Sequence, residues 1–132
     1  MNVENEIISL YNQEFKSVAE RFDVITFPVT EIRNEKNLNR PGVYIFFKGD
    51  RIWKVGKSNN NTIKRAFEHF VADTGYKIGK GMKQFEANPE MFLKLFLIRS
   101  PEDLHWVLAL ECFFETSFRN KNLLEIYSAR VG

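Results

Sequence analysis

Hydrophobic side chains recur at a helical spacing near the start of the chain. Across residues 4–22, apolar side chains return every three or four positions with charged residues between them, which predicts an amphipathic helix. Phe27-Pro28 closes this region, because the residue before a proline disfavours helical geometry. Residues 30–37 are short and polar and predict a helical turn, which ends in the turn signal at Pro41-Gly42.

The centre of the chain changes to a strand pattern. Residues 42–47 are aromatic and β-branched, which favours a strand. Gly49-Asp50 is a typical hairpin turn, and residues 51–57 form the returning strand. Polar residues 58–62 supply a loop and helix caps, and residues 63–72 repeat apolar side chains at helical spacing. Residues 73–89 are polar and contain glycine, and their pattern assigns no element.

The last third predicts one more strand and one helix. Residues 91–98 form an apolar run typical of a buried strand. Ser100-Pro101-Glu102-Asp103 favours a helix start, with a capping serine, a proline in the first turn and two acids at the positive end of the helix dipole. We expect this helix to run to about residue 118 and, because its wheel is apolar nearly all round, to be central.

These elements predict an α+β fold with a small, three-stranded, mostly antiparallel sheet flanked by helices. Residues 1–38 would be an N-terminal helical extension packed on a domain of residues 39–132. The length of 132 residues suits one domain with a real core.

Composition narrows the class of protein. Apolar residues make up 44% of the chain, which argues against disorder. The longest apolar stretches are too short to span a bilayer, and the acidic N-terminus has no apolar signal core, so we expect a cytoplasmic protein that does not bind membranes. The single cysteine, Cys112, excludes an internal disulfide and a cysteine-based zinc cluster.

Charge is informative by its distribution. The net charge is only +2, but residues 48–83 carry nine Lys or Arg against three Asp or Glu. Such a local positive field is typical of nucleic-acid binding. An ordinary solvated lysine face is the alternative, and composition alone favours it.

Four positions in the central region could carry chemistry. Tyr44 lies on the first hairpin strand, where tyrosine usually serves packing. Gly56 weakens a strand and so often marks a bulge or a close backbone approach. Arg65 and His69 are four residues apart on a helix and share a face, either as an exposed basic pair or as the lining of a cleft.

Glu111 is the most informative residue of the last helix. Leu104, Val107, Leu108 and Phe118 define an apolar face there, and Glu111 falls in its middle. A buried carboxylate costs several kcal/mol unless it is paired. A salt bridge to an arginine and a hard divalent cation both satisfy it, and the helix alone favours neither.

These positions, in this order, resemble the GIY-YIG nuclease superfamily. Gly42-Val43-Tyr44 resembles its first motif, and Lys54-Val55-Gly56-Lys57-Ser58 its second. Arg65, followed one turn later by His69, and Glu111 complete a match over residues 41–118. Lys54 stands where the second motif usually has tyrosine, as in a divergent branch found in phages and bacteria.

The resemblance implies a compact module that hydrolyses phosphodiester bonds with one divalent metal, Mg²⁺ or Mn²⁺. By position, Tyr44 would help to activate the attacking water, Arg65 would stabilise the phosphate, His69 matches a position held by His or Tyr, and Glu111 would bind the metal. Gly42 and Gly56 are the motif glycines. The residues expected to contact nucleic acid are Lys54, Lys57, Ser58 and Lys64.

Three functions stay open from the sequence. The first is a metal-dependent endonuclease acting on DNA. The second is a non-catalytic nucleic-acid-binding module, because the lysine at position 54 can bind phosphate but is a poor general base unless desolvated. The third is a protein-interaction domain whose N-terminal helix forms a homodimer or docks a partner. Hairpin register is also open: an even turn puts Lys57 on the face of Tyr44, and a bulged turn puts Lys54 there.

Overall fold

The structure, a computed structural model, describes residues 2–34, 38–72 and 85–125. Within them, four antiparallel strands form one sheet in the order β1-β4-β2-β3. The fold is α+β as predicted, but the expected number of three strands was wrong. The helices and strands are α1 (Val3–Glu14), β1 (Phe22–Pro28), β2 (Gly42–Lys48), β3 (Arg51–Ser58), α2 (Thr62–Ala72), β4 (Phe92–Ile98) and α3 (Leu104–Asn120).

The additional strand, β1, starts where the predicted first helix was expected to end. Helix α1 stops at Glu14, and a short 3₁₀ turn leads into Phe22, which pairs with Ile98 of β4. Residues 24–26 are all β-branched, which disfavours a helix, and pairing along β4 supplies backbone partners from far away in sequence. Residues 1–38 therefore contribute a sheet strand as well as a helix.

The β2–β3 hairpin contains a bulge, with Trp53 as the extra residue, and Tyr44 lies opposite Gly56. The bulged alternative is therefore the observed one, and Lys54 is on the Tyr44 face. An unbulged hairpin would turn Lys54 into the larger apolar core and Val55 out of it, and a buried ammonium without a partner costs several kcal/mol. The turn is closed by Gly49, whose φ of 61° favours glycine.

Helices cover both faces of the sheet. On one face, α1 and α3 pack on side chains that include Val43, Ile45 and Phe96. On the other face, α2 packs on a smaller core that includes Tyr44 and Leu95. Strand β3 lies at one edge of the sheet, so side chains from both faces can meet there.

The buried face of α3 only partly matches the expected one, because Val107 and Phe118 are buried as expected and Leu104 and Leu108 are not. Its buried residues are Val107, Leu110, Phe114 and Phe118, whereas Leu104 and Leu108 are 40% and 60% exposed. The helix lies on one face of the sheet and is not central. The helix signal at Ser100 begins a 3₁₀ turn, Pro101–Asp103, that leads directly into α3 at Leu104; the Ser100 side chain caps this turn by accepting a hydrogen bond from the backbone N–H of Glu102.

Helix α1 is an integral part of the larger core. Asn2 caps it, and Val3, Ile7 and Tyr11 are buried. Among the described residues, the large hydrophobic side chains that are exposed lie on β1 and α3. No helix among the described residues has the length and apolar character needed to cross a membrane.

Candidate active site

A small cleft opens beside Gly56 at the β3 edge of the sheet. Its volume is about 160 Å³, and it is lined by Tyr44, Gly56, Lys57, Arg65 and Glu111. These residues come from β2, β3, α2 and α3, so four elements meet at this edge. The resemblance assigns chemical roles to Tyr44, Arg65, His69 and Glu111, and three of these four (all but His69) line this one cleft.

Gly56 lets the Tyr44 side chain reach this cleft. A Cβ atom at position 56 would collide with the Tyr44 hydroxyl and its ring. The ring therefore lies across the backbone of the neighbouring strand, which only glycine permits. Gly42 is constrained in a similar way, because a Cβ there would collide with the carbonyl oxygen of Phe96.

The Tyr44 hydroxyl is held by a buried histidine. The distance between Tyr44 Oη and His69 Nε2 is 2.6 Å, and both side chains are at most 2% exposed. If Nε2 carries no proton, the tyrosine hydroxyl donates to it. His69 does not line the cleft itself, so the structure places it behind Tyr44, where it orients the hydroxyl and can take its proton.

Arg65 reaches the cleft from the first turns of α2. The helix start is fixed by Asn61, whose side chain accepts from the N–H of Lys64, and by Thr62, which donates to the carbonyl oxygen of Arg40. The guanidinium of Arg65 forms an exposed ion pair with Glu68 at 3.3 Å. Because such surface pairs contribute little, a phosphate can displace Glu68 from Arg65 at low cost.

Glu111 lines the cleft from the side of α3 rather than from its buried face, and it is half-buried. Burial raises the pKa of its carboxyl above the ordinary value, while the nearby Lys57 ammonium opposes the shift. The Glu115 carboxylate adds to the rise, and Lys54 opposes it. The two lysines therefore favour the ionised carboxylate that a cation requires.

A single carboxylate is the metal-binding group that the described residues offer here. They contain no cluster of three or more His, Cys, Asp or Glu side chains able to enclose a metal. Mg²⁺ commonly takes one or two carboxylates and fills its shell with water and substrate phosphate oxygens. Glu111 on the wall of an open cleft fits such a site, and it does not fit a metal enclosed by protein alone.

The remaining predicted contacts are placed differently. Lys54 is 9% exposed on the face of α2, whereas Lys57 lines the cleft and Lys64 is exposed on α2. The Ser58 hydroxyl accepts from the backbone N–H groups of Asn60 and Asn61, so it shapes the loop before α2. Lys77, Lys80 and Lys83, which contributed to the positive stretch, lie outside the described residues.

A second cavity, of about 300 Å³, was not expected from the sequence. It lies between the start of β2 and the start of α3, with Arg40 and Arg99 on its wall. The available signal was two arginines that each stand at a strand end, in Arg40-Pro41 and in Arg99-Ser100-Pro101. Only the pairing of β2 with β4 brings these ends together.

Comparison of the chain with protein-family models, curated proteins and solved structures gave no match of any of the three kinds.

Proposed function

We propose that this protein hydrolyses phosphodiester bonds in nucleic acid with a divalent metal, and that DNA is its substrate. The observation that carries the proposal is the shared cleft of Tyr44, Lys57, Arg65 and Glu111. Two cations, a hydroxyl and a carboxylate around a space of this size suit a phosphate group. The order of the same residues along the chain, which resembles that of GIY-YIG nucleases, supports this reading.

The two cations would bind and stabilise the phosphate. Arg65 offers a planar guanidinium that can donate two parallel hydrogen bonds to phosphate oxygens. Lys57, on β3, adds a second positive charge to the lining of the cleft. Since charge builds up on these oxygens as the attacking water approaches, fixed cations there lower the barrier.

Tyr44 and His69 would handle the proton of the attacking water. The hydroxyl accepts a proton from the water while it passes its own proton to His69 Nε2, 2.6 Å away. This relay keeps the buried histidine out of contact with the substrate. Such positioned acid–base groups typically contribute about 100-fold to 10,000-fold in rate.

Glu111 would hold the metal, Mg²⁺ or Mn²⁺, through its carboxylate. When bound, such a cation supplies positive charge to the leaving oxygen and to the phosphate. The remaining positions would be filled by water and substrate, as is usual for Mg²⁺.

The test is a plasmid-nicking assay with Mg²⁺ or Mn²⁺ on the unmodified chain and on two variants. Glu111→Gln keeps the shape but removes the charge, and we expect cleavage to fall by about 1,000-fold, the loss typical of a group that stabilises charge in the transition state. Glu14→Gln, on the exposed end of α1, is the matched control and should cleave normally. Cleavage that survives Glu111→Gln would refute the proposed site.

A second candidate function is a nucleic-acid-binding module without catalysis. It is motivated by Lys54, which stands where the second motif usually has tyrosine, and by the accessible cations Lys57 in the cleft and Lys64 on α2. This function requires tight, salt-dependent binding of DNA, and no cleavage of the DNA whichever divalent metal is added. Affinity that does not fall between about 50 and 200 mM salt would count against it.

A further inference from the structure

The cavity between the starts of β2 and α3 has an apolar floor and a charged wall. We call it the arginine pocket. Pro41, Ile98 and Leu104 supply apolar surface, and Arg40 and Arg99 supply guanidinium groups. Its volume of about 300 Å³ is at the lower end of the range for small-molecule sites. Apolar surface beside two guanidinium groups suits a ligand with an apolar face and polar or anionic edges.

Both arginines are oriented by one carboxylate. Arg40 Nη1 donates to Asp23 Oδ2 at 2.9 Å, and Arg99 Nε donates to Asp23 Oδ1 at 2.8 Å. Hydrogen bonds from Arg40 and then from Arg99 lower the pKa of Asp23, so this carboxylate stays ionised. Two guanidinium groups against one carboxylate leave one positive charge at the wall.

Arg99 can bind a ligand without leaving Asp23. Its side chain is 58% exposed, and its hydrogen bond to another described residue uses only Nε. The terminal nitrogens therefore keep donors for an anion or a ring edge. Asn59 and Ser100 add an amide and a hydroxyl to the lining.

Three elements connect the arginine pocket with the cleft. Asn59 follows Gly56 by three residues, about 10 Å along an extended chain. Leu104 precedes Glu111 by seven residues on α3, about 10 Å along a helix. The carbonyl oxygen of Arg40 receives both the N–H and the hydroxyl of Thr62, the first residue of α2. The separation of about 10 Å between the arginine pocket and the cleft equals about three nucleotides of a stacked strand.

We propose that the arginine pocket binds an unpaired base of the same strand whose phosphate lies in the cleft. This inference rests on the proposed function, because the phosphate bound in the cleft determines which base along the strand reaches the arginine pocket. The base contacts the apolar floor, Arg99 stacks on it or binds its phosphate, and Asn59 bonds to its edge. Guanidinium planes and amide groups commonly serve unpaired bases in this way.

The consequence is a preference for substrates that contain single-stranded nucleotides. A base inside a duplex is stacked and paired and cannot enter a pocket unless it is flipped out. We therefore expect tighter binding to single strands and to junctions with unpaired nucleotides than to blunt duplex.

The test is fluorescence anisotropy in EDTA, where no cleavage can occur. The probes are a labelled single strand of about 12 nucleotides, within the site sizes of known single-strand-binding domains, and the matching blunt duplex. Two variants alter the arginine pocket, Arg99→Ala and Leu104→Gln. The matched control for Arg99→Ala is Lys16→Ala, which removes an exposed charge just after the end of α1. The matched control for Leu104→Gln is Leu108→Gln, which removes an exposed leucine one helical turn further along α3.

We expect Arg99→Ala to weaken single-strand binding about tenfold, the loss of one charged contact. Leu104→Gln should weaken it several-fold, and both variants should leave duplex binding and both controls nearly unchanged. Equal losses on single strand and duplex, or no loss at all, would overturn the proposal. Two competition results would also overturn it. In the first, free deoxyadenosine monophosphate displaces the labelled strand at a lower concentration than the unlabelled strand does. In the second, an acidic peptide displaces the labelled strand and the unlabelled strand does not.

The same assay separates this proposal from the proposed cleavage. Glu111→Gln should bind the single strand in EDTA at least as tightly as the unmodified chain does, because it removes a negative charge beside the phosphate. If plasmid is never nicked but Arg99→Ala still loses single-strand binding, the pocket stands and the nuclease fails. If nicking depends on Glu111 but Arg99→Ala binds normally, the nuclease stands and the pocket fails.

Discussion

Two buried polar contacts lie on opposite faces of the same sheet and differ in what surrounds them. On the face of α1, the Lys94 ammonium bonds to Glu4 at 2.9 Å and to Thr26 at 2.6 Å. On the face of α2, Tyr44 bonds to His69 at 2.6 Å. Lys94 joins α1 to the sheet, whereas Tyr44 borders a cleft with two cations and a carboxylate. Burial of a polar group thus does not by itself indicate a site, whereas burial beside an open, charged space makes the contact a candidate site.

The largest expected difference between the two contacts is in the rate of cleavage. Tyr44→Phe should lower the cleavage rate by about 100-fold or more, because the proton relay is lost, while the free energy of unfolding falls by only about 1 kcal/mol. The measurements are single-turnover cleavage and urea unfolding. Tyr11→Phe is the matched control, because Tyr11 is also buried and donates to the carbonyl oxygen of Ala19 at 2.6 Å. Equal loss in both variants would show that Tyr44 acts through stability.

A smaller loss of rate is expected from Gly56→Ala. The added methyl group would push the Tyr44 ring away from its position, and a misplacement of about 1 Å can cost up to about 100-fold in rate. Overpacking should also lower the stability by about 1–3 kcal/mol. Gly42→Ala is the control, since it collides with backbone far from the hydroxyl and should cost stability without a specific loss of rate. Unchanged cleavage in Gly56→Ala would mean that the ring position is not needed.

On the other face, the expected effects are on stability alone. Glu4→Gln leaves the Lys94 ammonium buried without its carboxylate and should cost about 1–2 kcal/mol. Lys94→Met should change the stability by less, since Glu4 is 35% exposed and can be hydrated, and an apolar side chain tolerates burial. Urea unfolding gives both values. A larger cost for Lys94→Met than for Glu4→Gln would contradict this account, and a change in cleavage in either variant would remove the contrast between the two faces.

The smallest expected effect is a pH dependence at Glu111. Because its pKa is raised above the ordinary value of about 4.5, the folded chain holds a proton that the unfolded chain releases at lower pH. Stability therefore falls as pH rises through this window, and Glu111→Gln should be slightly more stable than the unmodified chain at neutral pH. Cleavage should follow the opposite course and rise with pH, since only the carboxylate binds a metal. A stability difference that is the same at pH 4 and pH 8 would exclude this linkage.

The sequence predicted those elements whose signals are local. The β2–β3 hairpin, α2, β4 and the capped start of α3 carry turn, period or cap patterns within a few residues of each other. Strand β1 was missed because the apolar spacing of residues 4–22 runs into it without a break. Its β-branched residues become a strand through pairing with β4, some seventy residues later, which no local pattern contains.

The residues that line the cleft were singled out from the sequence, but the geometry of the cleft was not predicted. Tyr44, Arg65 and Glu111 stood out by residue type and order, yet the face of α3 that packs on the sheet was assigned only in part. Val107 and Phe118 are common to two apolar stripes on this helix, one that adds Leu104 and Leu108 and one that adds Leu110 and Phe114. Which stripe is buried depends on the shape of the sheet beneath, and that choice decides whether Glu111 lies in the core or beside the cleft.

The hairpin bulge has a consequence for how this chain can change in length. Trp53 is the residue that the ladder skips, so a chain that lacks it can keep Tyr44 opposite Gly56 with an ordinary two-residue turn. One residue added or lost between Lys54 and Gly56 would instead place a side chain against the tyrosine ring. Deletion of position 53 should therefore preserve the contact between Tyr44 and Gly56, whereas an insertion or deletion between Lys54 and Gly56 should disrupt it.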